Sequence, residues 1–342
     1  MPNASGWIVK SVSHQYNEIE FKCNQSIYFE YMNLDSRQLA ALVAVAEHGS
    51  FSQAARAMQL TLAAVSMRVQ ALETALGQRL LVRGKRVSPT PAGQKLLTHA
   101  RQVTLLQADV LNDIQGTPTT KGKPWITLPV AVNADSLSTW FLPGVAKVVA
   151  QHRVLLDVQV DDQDHTQEAL RQGQVVGCVT THSTPIPGCE VKPLGAMRYR
   201  CLAANALIER WRLPSGKVSL HRMLAHPAVI FNRKDRLQDL FLTTHFQLKD
   251  AAYPRHYMPA VDAFEAAIAQ GMGWGMVPES LWHEHAGLEN VGEVFTHTPV
   301  DIPLVWLHWA KEPSAAQRLT HAVCSAASAA LQISPQGPRA NA

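Results

Sequence analysis

Arg37, Arg56, Arg68, Arg79, Arg83, Lys85 and Arg86 fall between Asn33 and Thr90, a stretch with three acids, Asp35, Glu47 and Glu73. That excess equals the net charge of +4 carried by all 342 residues, so the remainder of the chain is neutral on balance. Cations gathered in this way suit a polyanion such as a phosphate backbone. A second group suits another chemistry. Asn133, Asp135 and Ser136 follow an apolar run and open a helical one, where free backbone N–H groups favour a carboxylate. Thr180 and Thr181 end the strand-like run VVGCV, and Phe231 ends AVIF. A desolvated ammonium or guanidinium needs a carboxylate partner. Asp135, Asp161 and Asp262 are the candidates, Asp135 first because it lies in the loop that would form a cleft. Helix capping explains the positions of Asp135 and Asp262 equally well.

Other chemistries find less support. Gly271-Met272-Gly273-Trp274-Gly275 follows a helical pattern and precedes a strand, the reverse of the dinucleotide-binding order, and reads as a helix-end turn. His283 and His285 in WHEHAG have no Cys or Asp close in sequence and read as surface residues, not metal ligands. With no nucleophile–base constellation, neither an enzyme, a cofactor nor a metal is expected. Cys23, Cys178, Cys189, Cys201 and Cys324 are odd in number and scattered, without a CxxC pair. That usage fits a reduced, cytoplasmic protein. No apolar run approaches the roughly 20 residues of a membrane span, and the first residues do not read as a signal peptide.

The elements that must position these groups come from apolar spacing and end signals. Leu39, Leu42, Val43 and Ala46 share a face of a first helix that follows Asp35 or Ser36 and ends at His48-Gly49. Ser50 precedes a second helix with Phe51, Ala54, Ala55 and Met58 in register. Thr61 is placed to cap a third, whose apolar stripe is Val65, Val69, Leu72 and Leu76. The face away from that stripe carries Ala63, Ala64, Ser66, Met67, Arg68 and Gln70, small and neutral at its start. RLLVRGKRVSPT reads as a basic hairpin around Gly84-Lys85. Three helices and a hairpin in this order make a winged helix-turn-helix, whose third helix enters the major groove N-terminus first. Ala63 and Ala64 then lie against thymine methyls or sugar. Ser66, Arg68 and Gln70 offer hydrogen bonds, and Arg83, Lys85 and Arg86 meet phosphate or the minor groove. Ser50, Thr61 and Met67 complete the candidate interface.

Thr90-Pro91 opens a long helix reaching about Gln115. Leu96, Ala100, Val103, Gln107, Val110 and Ile114 form a heptad-like seam that predicts a homo-oligomer, dimer or tetramer. From Trp125 onward strand-like and helical runs alternate, which predicts parallel sheets in two α/β lobes. The expected organisation is an extension (1–31), a winged helix-turn-helix (32–90), a linker helix and hinge (91–123), a ligand-binding domain (124–333) and a tail (334–342). Within the ligand-binding domain, lobe I spans about 124–198 and 299–333, and lobe II about 199–298. Extension and tail are expected to be disordered.

The stretch SFSQAARAMQLTLAAVSMRVQALETALGQRLLVRGKRVSPTPAGQKLL resembles the N-terminal domain of LysR-type transcriptional regulators. The shared positions are Ala54, Ala55, Ala64, Val65, Ser66, Leu72, Glu73, Leu76, Gly77, Leu80, Leu81, Arg83, Thr90, Ala92 and Gly93. Leu62 and Ala63 depart from it, standing where the family usually has polar residues after the capping Thr. VAVNADSLSTWFLPGVAKV, VDDQDHTQEALRQGQVVGCVTTH and LGAMRYRCLAA are similar to the subfamily of arginine-outward-transport regulators, also called chromosome initiation inhibitors. The resemblance implies a two-lobed, periplasmic-binding-protein-like effector domain, with strands crossing near 199–203 and 294–300. It implies double-stranded DNA and RNA polymerase as partners, lysine or arginine as the effector in the cleft, and control of amino-acid export or metabolism genes. Two alternatives stand beside it. One is a family member that senses another metabolite or oxidants, with Cys189 and Cys201 as a redox pair. The other is a solute-binding protein or enzyme whose basic segment is incidental. A chain that starts at Met32 is expected to bind the same DNA and to melt within a degree or two of the full chain; a loss of several degrees would show that residues 1–31 pack on the core.

Overall fold

The computed structural model describes residues 34–114, 125–160, 163–284 and 286–333. The expectations for residues 1–31, 116–124 and 334–342, and for Asp161 and His285, lie outside the described residues. The chain divides into two compact units, one ending at Arg101 and the other beginning at Gln102.

The first unit holds α1 (Ser36–His48), α2 (Phe51–Ala57), α3 (Leu62–Leu76), a hairpin of β1 (Leu81–Val82) and β2 (Ser88–Pro89), and the first turns of α4 (Pro91–Ile114). The Asp35 carboxylate caps α1 by accepting from the Arg37 N–H at 2.6 Å, and the Thr61 hydroxyl caps α3 by accepting from Ala64 at 3.1 Å. Ser50 occupies the cap position of α2 without a side-chain bond. Gly77 ends α3 at φ 63°, a backbone conformation that costs a side chain energy. Leu42, Val45, Ala54, Val65, Val69, Leu72 and Leu97 close a buried core, each larger side chain contributing roughly 1.5–3 kcal/mol. On α1 the buried face is Leu39, Ala41, Leu42 and Val45, whereas Val43 and Ala46 pack only at its edge.

Two polar contacts tie the hairpin to the helices. The Glu73 carboxylate accepts from the backbone N–H groups of Leu80 and Leu81 at 2.8 and 3.3 Å. The Thr90 hydroxyl donates to the Arg79 carbonyl at 2.8 Å and accepts from the Gly93 N–H at 3.0 Å, so it caps α4 and closes the hairpin together. Gly93 lies so close to the strand that a Cβ would overlap the Leu80 carbonyl.

The seam expected along α4 divides. Leu96 and Ala100 pack into the first unit's own core beside Leu97, which corrects the assignment of Leu96 and Ala100 to a partner helix. In the second unit Leu105 packs on the core, and Asp109 accepts from the Ser314 N–H at 2.7 Å and its hydroxyl at 2.5 Å. Leu106, Val110, Leu111 and Ile114 remain exposed.

In the second unit β3 (Ile126–Ala131) leads into a helical stretch that begins with Ala134–Ser136, widens through a π-helical turn at Leu137–Phe141 and continues as α5 (Leu142–His152). There follow β4 (Val154–Gln159), α6 (Gln163–Arg171), β5 (Gly177–Thr180) and β6 (Cys189–Ala204). Beyond β6 lie α7 (Asn205–Trp211), α8 (Leu220–Leu224), β7 (Ala228–Ile230), α9 (Leu237–Phe246), β8 (Arg255–Tyr257), α10 (Val261–Ala269), β9 (Trp274–Pro278) and α11 (Glu279–Glu284). The last elements are β10 (Val291–Glu293), β11 (Val300–Trp309) and α12 (Ser314–Ala330). The strands form one sheet in the order β4-β3-β5-β11-β6-β9-β7-β8, with β10 paired to β6. Pairing is parallel within β4-β3-β5 and within β9-β7-β8, as the alternation of strands and helices requires. The all-parallel expectation is corrected at the centre, where β6 and β11 run antiparallel to each other and to β5 and β9. Of these two, β6 runs on to pair with β9 and β10 and so joins the two parallel groups. Replacing Gly93 by Ala is expected to destabilise the first unit by about 1–3 kcal/mol, because the backbone of β1 must shift. Chemical denaturation followed in that unit, with Gly84→Ala, where a Cβ meets only an ordinary contact, as the control, checks it.

Candidate nucleic-acid interface and ligand cleft

Burial divides α3 along its length. Val65, Val69 and Leu72 are sealed in the core, while Thr61, Ala63, Met67 and Gln70 are exposed and Ala64, Ser66 and Arg68 half-buried. Thr61 turns its hydroxyl onto the helix end, which keeps the first turn compact. In the wing, Arg83, Lys85 and Arg86 are exposed. The Arg83 guanidinium rests over the Phe51 ring at 5.3 Å, and the Arg86 stem folds across Gly49. Arg56 and Arg79 are exposed as well, as is Leu62; the sequence reading counted the two arginines in the charge without placing them at the interface. The resulting surface is a helix N-terminus with small residues, flanked by cations, as a duplex major groove and its phosphates require.

The second site lies between the lobes of the second unit. Asp135, Phe231, Asp235, Leu237, Val261, Phe264, Glu265, Met276 and Leu281 line a cavity of about 30 Å³, room for one or two waters. Asp135 accepts a hydrogen bond of 2.6 Å from the Tyr199 hydroxyl, delivered from β6. Burial pushes the Asp135 carboxyl up to about 6; the Tyr199 bond pulls it down, and the negative Asp235 and Glu265 push it further up. Burial, then Asp135 itself, holds the Tyr199 phenol well above its ordinary range, so it remains a donor. Asp235 is raised by burial and partly relieved by the Leu237 and Phe231 N–H groups at 2.9 and 3.2 Å. Glu265 is 6% exposed. Three carboxylates thus face one small space, and the charges acting on Asp135 are both negative. This is a cation-seeking arrangement.

Asn133 and Ser136 leave buried oxygens, Oδ1 and Oγ, with no hydrogen-bond partner among the described residues. Thr180 is buried and accepts from the His182 N–H at 3.2 Å, and Thr181 is half-buried beside it. These four residues sit just past the C-terminal ends of the neighbouring parallel strands β3 and β5. Asp262 departs from expectation. It is exposed at the first turn of α10 and does not line the cavity, whereas Glu265, one turn on, does. Besides its apolar lining, three polar residues of the cleft were not among the expected site residues. Glu265 had a signal, since it interrupts the apolar stripe Val261, Phe264 and Ile268. Asp235, within a charged turn, and Tyr199, on a strand, had none.

The remaining candidates resolve simply. Gly271–Gly275 ends α10 and enters β9, and a Cβ on Gly273 would overlap the Pro227 carbonyl, so the glycines serve close packing. Cys189 and Cys201 are twelve residues apart on one extended strand, on the order of 30–40 Å. A disulfide needs Cα atoms within about 7 Å, and the redox pair is therefore corrected. His283 stacks on Trp282 at 5.0 Å. Among the described residues no group of His, Cys, Asp and Glu converges to hold a metal ion, and no helix is long and apolar enough to cross a membrane.

A winged helix-turn-helix in one unit and a two-lobed cleft in the other are the parts of a transcriptional regulator that answers to a small molecule. Residues 36–94 match the family of bacterial regulatory helix-turn-helix proteins, lysR family, and residues 127–327 match the LysR substrate binding domain. The HTH-type transcriptional regulator LysG of Mycobacterium tuberculosis is 39% identical over 295 residues, spanning 86% of this chain and 94% of that protein. The crystal structure of ArgP from Mycobacterium tuberculosis superposes with a TM-score of 0.74 at 37% identity, covering 86% of this chain and 98% of that one. Full-length LysG from Corynebacterium glutamicum with bound effector Arg gives a TM-score of 0.70 at 33% identity, covering 87% and 99%. The chain belongs to the LysR family of transcriptional regulators.

The raised Asp135 has a consequence for stability. The folded protein holds a proton on this carboxyl up to about pH 6, against an ordinary carboxyl value of 3.8. Between those values the folded state binds more protons, so stability is expected to fall as pH rises from about 4 to 6. At 1.36 kcal/mol per unit, the loss is at most about 3 kcal/mol, reduced by the partial exposure of the group. Urea titrations across this range check it, and Asp135→Asn should flatten that limb.

Proposed function

We propose that the chain is a cytoplasmic, DNA-binding regulator, not an enzyme, whose cleft takes a basic amino acid, lysine or arginine, and which controls amino-acid export or metabolism genes. The single observation that carries the effector class is the convergence of Asp135, Asp235 and Glu265 with Tyr199 on one buried space. An ammonium or guanidinium entering it replaces mutual repulsion by charge-assisted hydrogen bonds. The unpartnered Asn133 and Ser136 oxygens, with Thr180 and Thr181 at the adjoining strand ends, supply polar contacts for the amino-acid end. Phe231 lies along the stem. The LysG structure with bound Arg supports the same class.

In this reading residues 32–90 bind duplex DNA through Ser50, Thr61, Ala63, Ala64, Ser66, Met67, Arg68, Gln70, Arg83, Lys85 and Arg86. Residues 91–123 link them to an effector-binding domain at 124–333, with lobe I at about 124–198 and 299–333 and lobe II at about 199–298. The exposed Leu106, Val110, Leu111 and Ile114 support a dimer or tetramer, and RNA polymerase is the protein partner. The cavity of about 30 Å³ is smaller than an amino acid, so a bound amino acid must widen the space between the lobes. A ligand that prefers one arrangement shifts the population of regulator states.

Calorimetry on the full chain with lysine, arginine, ornithine and leucine tests the effector. Heat is expected from the cationic amino acids and none from leucine. Asp135→Asn and Asp235→Asn should each weaken binding at least tenfold. Because the cation prefers ionised Asp135, affinity should be higher at pH 7.5 than at 5.5. Equal binding of leucine would sink this reading.

A further inference from the structure

The face of α3 that the core does not use is apolar, and this carries an inference that rests on the chain being a DNA-binding regulator. Ala63, Met67 and Gln70 follow one another at i, i+4 and i+7 and are exposed, with Ala71 beside them. Met67 is 69% exposed, and Leu62, the first residue of the helix and on a different face, is 50% exposed. Neither is needed to fill the core, which Val65, Val69 and Leu72 complete. The charge pattern around this face says what covers it. The helix's single carboxylate, Glu73, is occupied by the Leu80 and Leu81 N–H groups. Arg79, Arg83, Lys85 and Arg86 are exposed on the adjoining wing, while Arg68 is half-buried and lies off the apolar face. A polyanion that places its charges on the wing must offer this face something apolar.

In the major groove the base edges of guanine, cytosine and adenine are polar, and the apolar group on offer is the C5-methyl of thymine. A side-chain amide such as that of Gln70 pairs best with adenine N6 and N7. We propose that Leu62 and Met67 are specificity-determining residues that read thymine methyl groups in the operator half-site, with Gln70 reading an adenine beside them.

The test uses the full chain and two steps. Selection from random duplexes first recovers the preferred half-site. Each thymine in it is then replaced in turn by deoxyuridine, which removes the methyl and nothing else, and affinity is measured by titration. At two or more positions binding should weaken about three- to fourfold, from roughly 0.8 kcal/mol per buried methyl-sized group and 1.4 kcal/mol per tenfold. Met67→Ala should abolish the sensitivity at one of these positions and Leu62→Ala at another, while the remaining thymines keep theirs. Sensitivity to deoxyuridine at no position overturns the inference, as does full sensitivity retained in both variants. Those outcomes leave the regulator reading intact. Recovery of no preferred sequence overturns that reading as well. The measurement with unmodified protein varies only the DNA, so a folding defect in a variant cannot mask the result.

Discussion

The second unit is organised by the antiparallel pairing of β6 with β11, which runs through ten residue pairs from Val300 opposite Tyr199 to Trp309 opposite Cys189. Past Tyr199, β6 continues with β9 and β10 as partners. One strand therefore belongs to both halves of the sheet, and its residues near the crossing are held on each side by charge. Arg198 makes a bidentate pair with Asp301 at 2.7 and 2.8 Å. Arg200 binds Glu279 and Glu293 at 2.6 and 3.0 Å. Tyr199 stands between these two arginines, and its place in the strand delivers a phenol to Asp135 across the cleft. The site exists because one strand belongs to both walls and carries a phenol to Asp135.

That site works against the fold. Desolvated carboxylates gathered without a cation are costly, and the surrounding structure has to over-determine them. It does so with a large apolar core, in which Trp211, Trp274, Trp306 and Trp309 are all sealed from solvent, and with polar contacts that fix individual side chains. The Trp306 indole donates to Thr320 at 3.0 Å, and Thr320 donates in turn to Glu312 at 2.7 Å. The Gln238 amide donates to the Val229 carbonyl at 3.0 Å and pins α9 to β7. Such contacts leave the acidic cavity as the local weak point in a rigid frame, where a ligand's charge has the greatest effect.

Much of the architecture was legible because it depends on local patterns. The three helices, the hairpin and the Thr90-Pro91 helix start follow from caps and apolar spacing alone. So do most of the alternating strands and helices beyond Trp125. What escaped depends on residues far apart in sequence. The sixteen-residue β6 alternates only around Met197–Cys201 and is buried continuously beyond, so its full length is not marked, and its partner β11 lies about a hundred residues on. The seam on α4 was assigned to a partner because spacing cannot reveal which body covers an apolar face; Leu96 and Ala100 pack on their own domain. In the cleft, Asp135 was legible from its place at a strand end. Asp235 is drawn in from another lobe by a turn, and no sequence rule distinguishes it from its charged neighbours. Asp262 was named because it opens the helix after HYMPAV, whereas the geometry of α10 turns Glu265, one turn on, toward the cavity.

The division of α3 into a sealed side and an open side reaches beyond its chemistry. Val65, Val69 and Leu72 hold the helix in place, and none of the exposed positions shares that duty. Changes at residues 62, 63, 67 and 70 therefore alter what the helix touches without altering whether it folds. Drift in regulatory targets and maintenance of the scaffold fall on separate sets of codons, so a lineage can rewire which genes it controls through single substitutions that leave thermodynamic stability almost untouched.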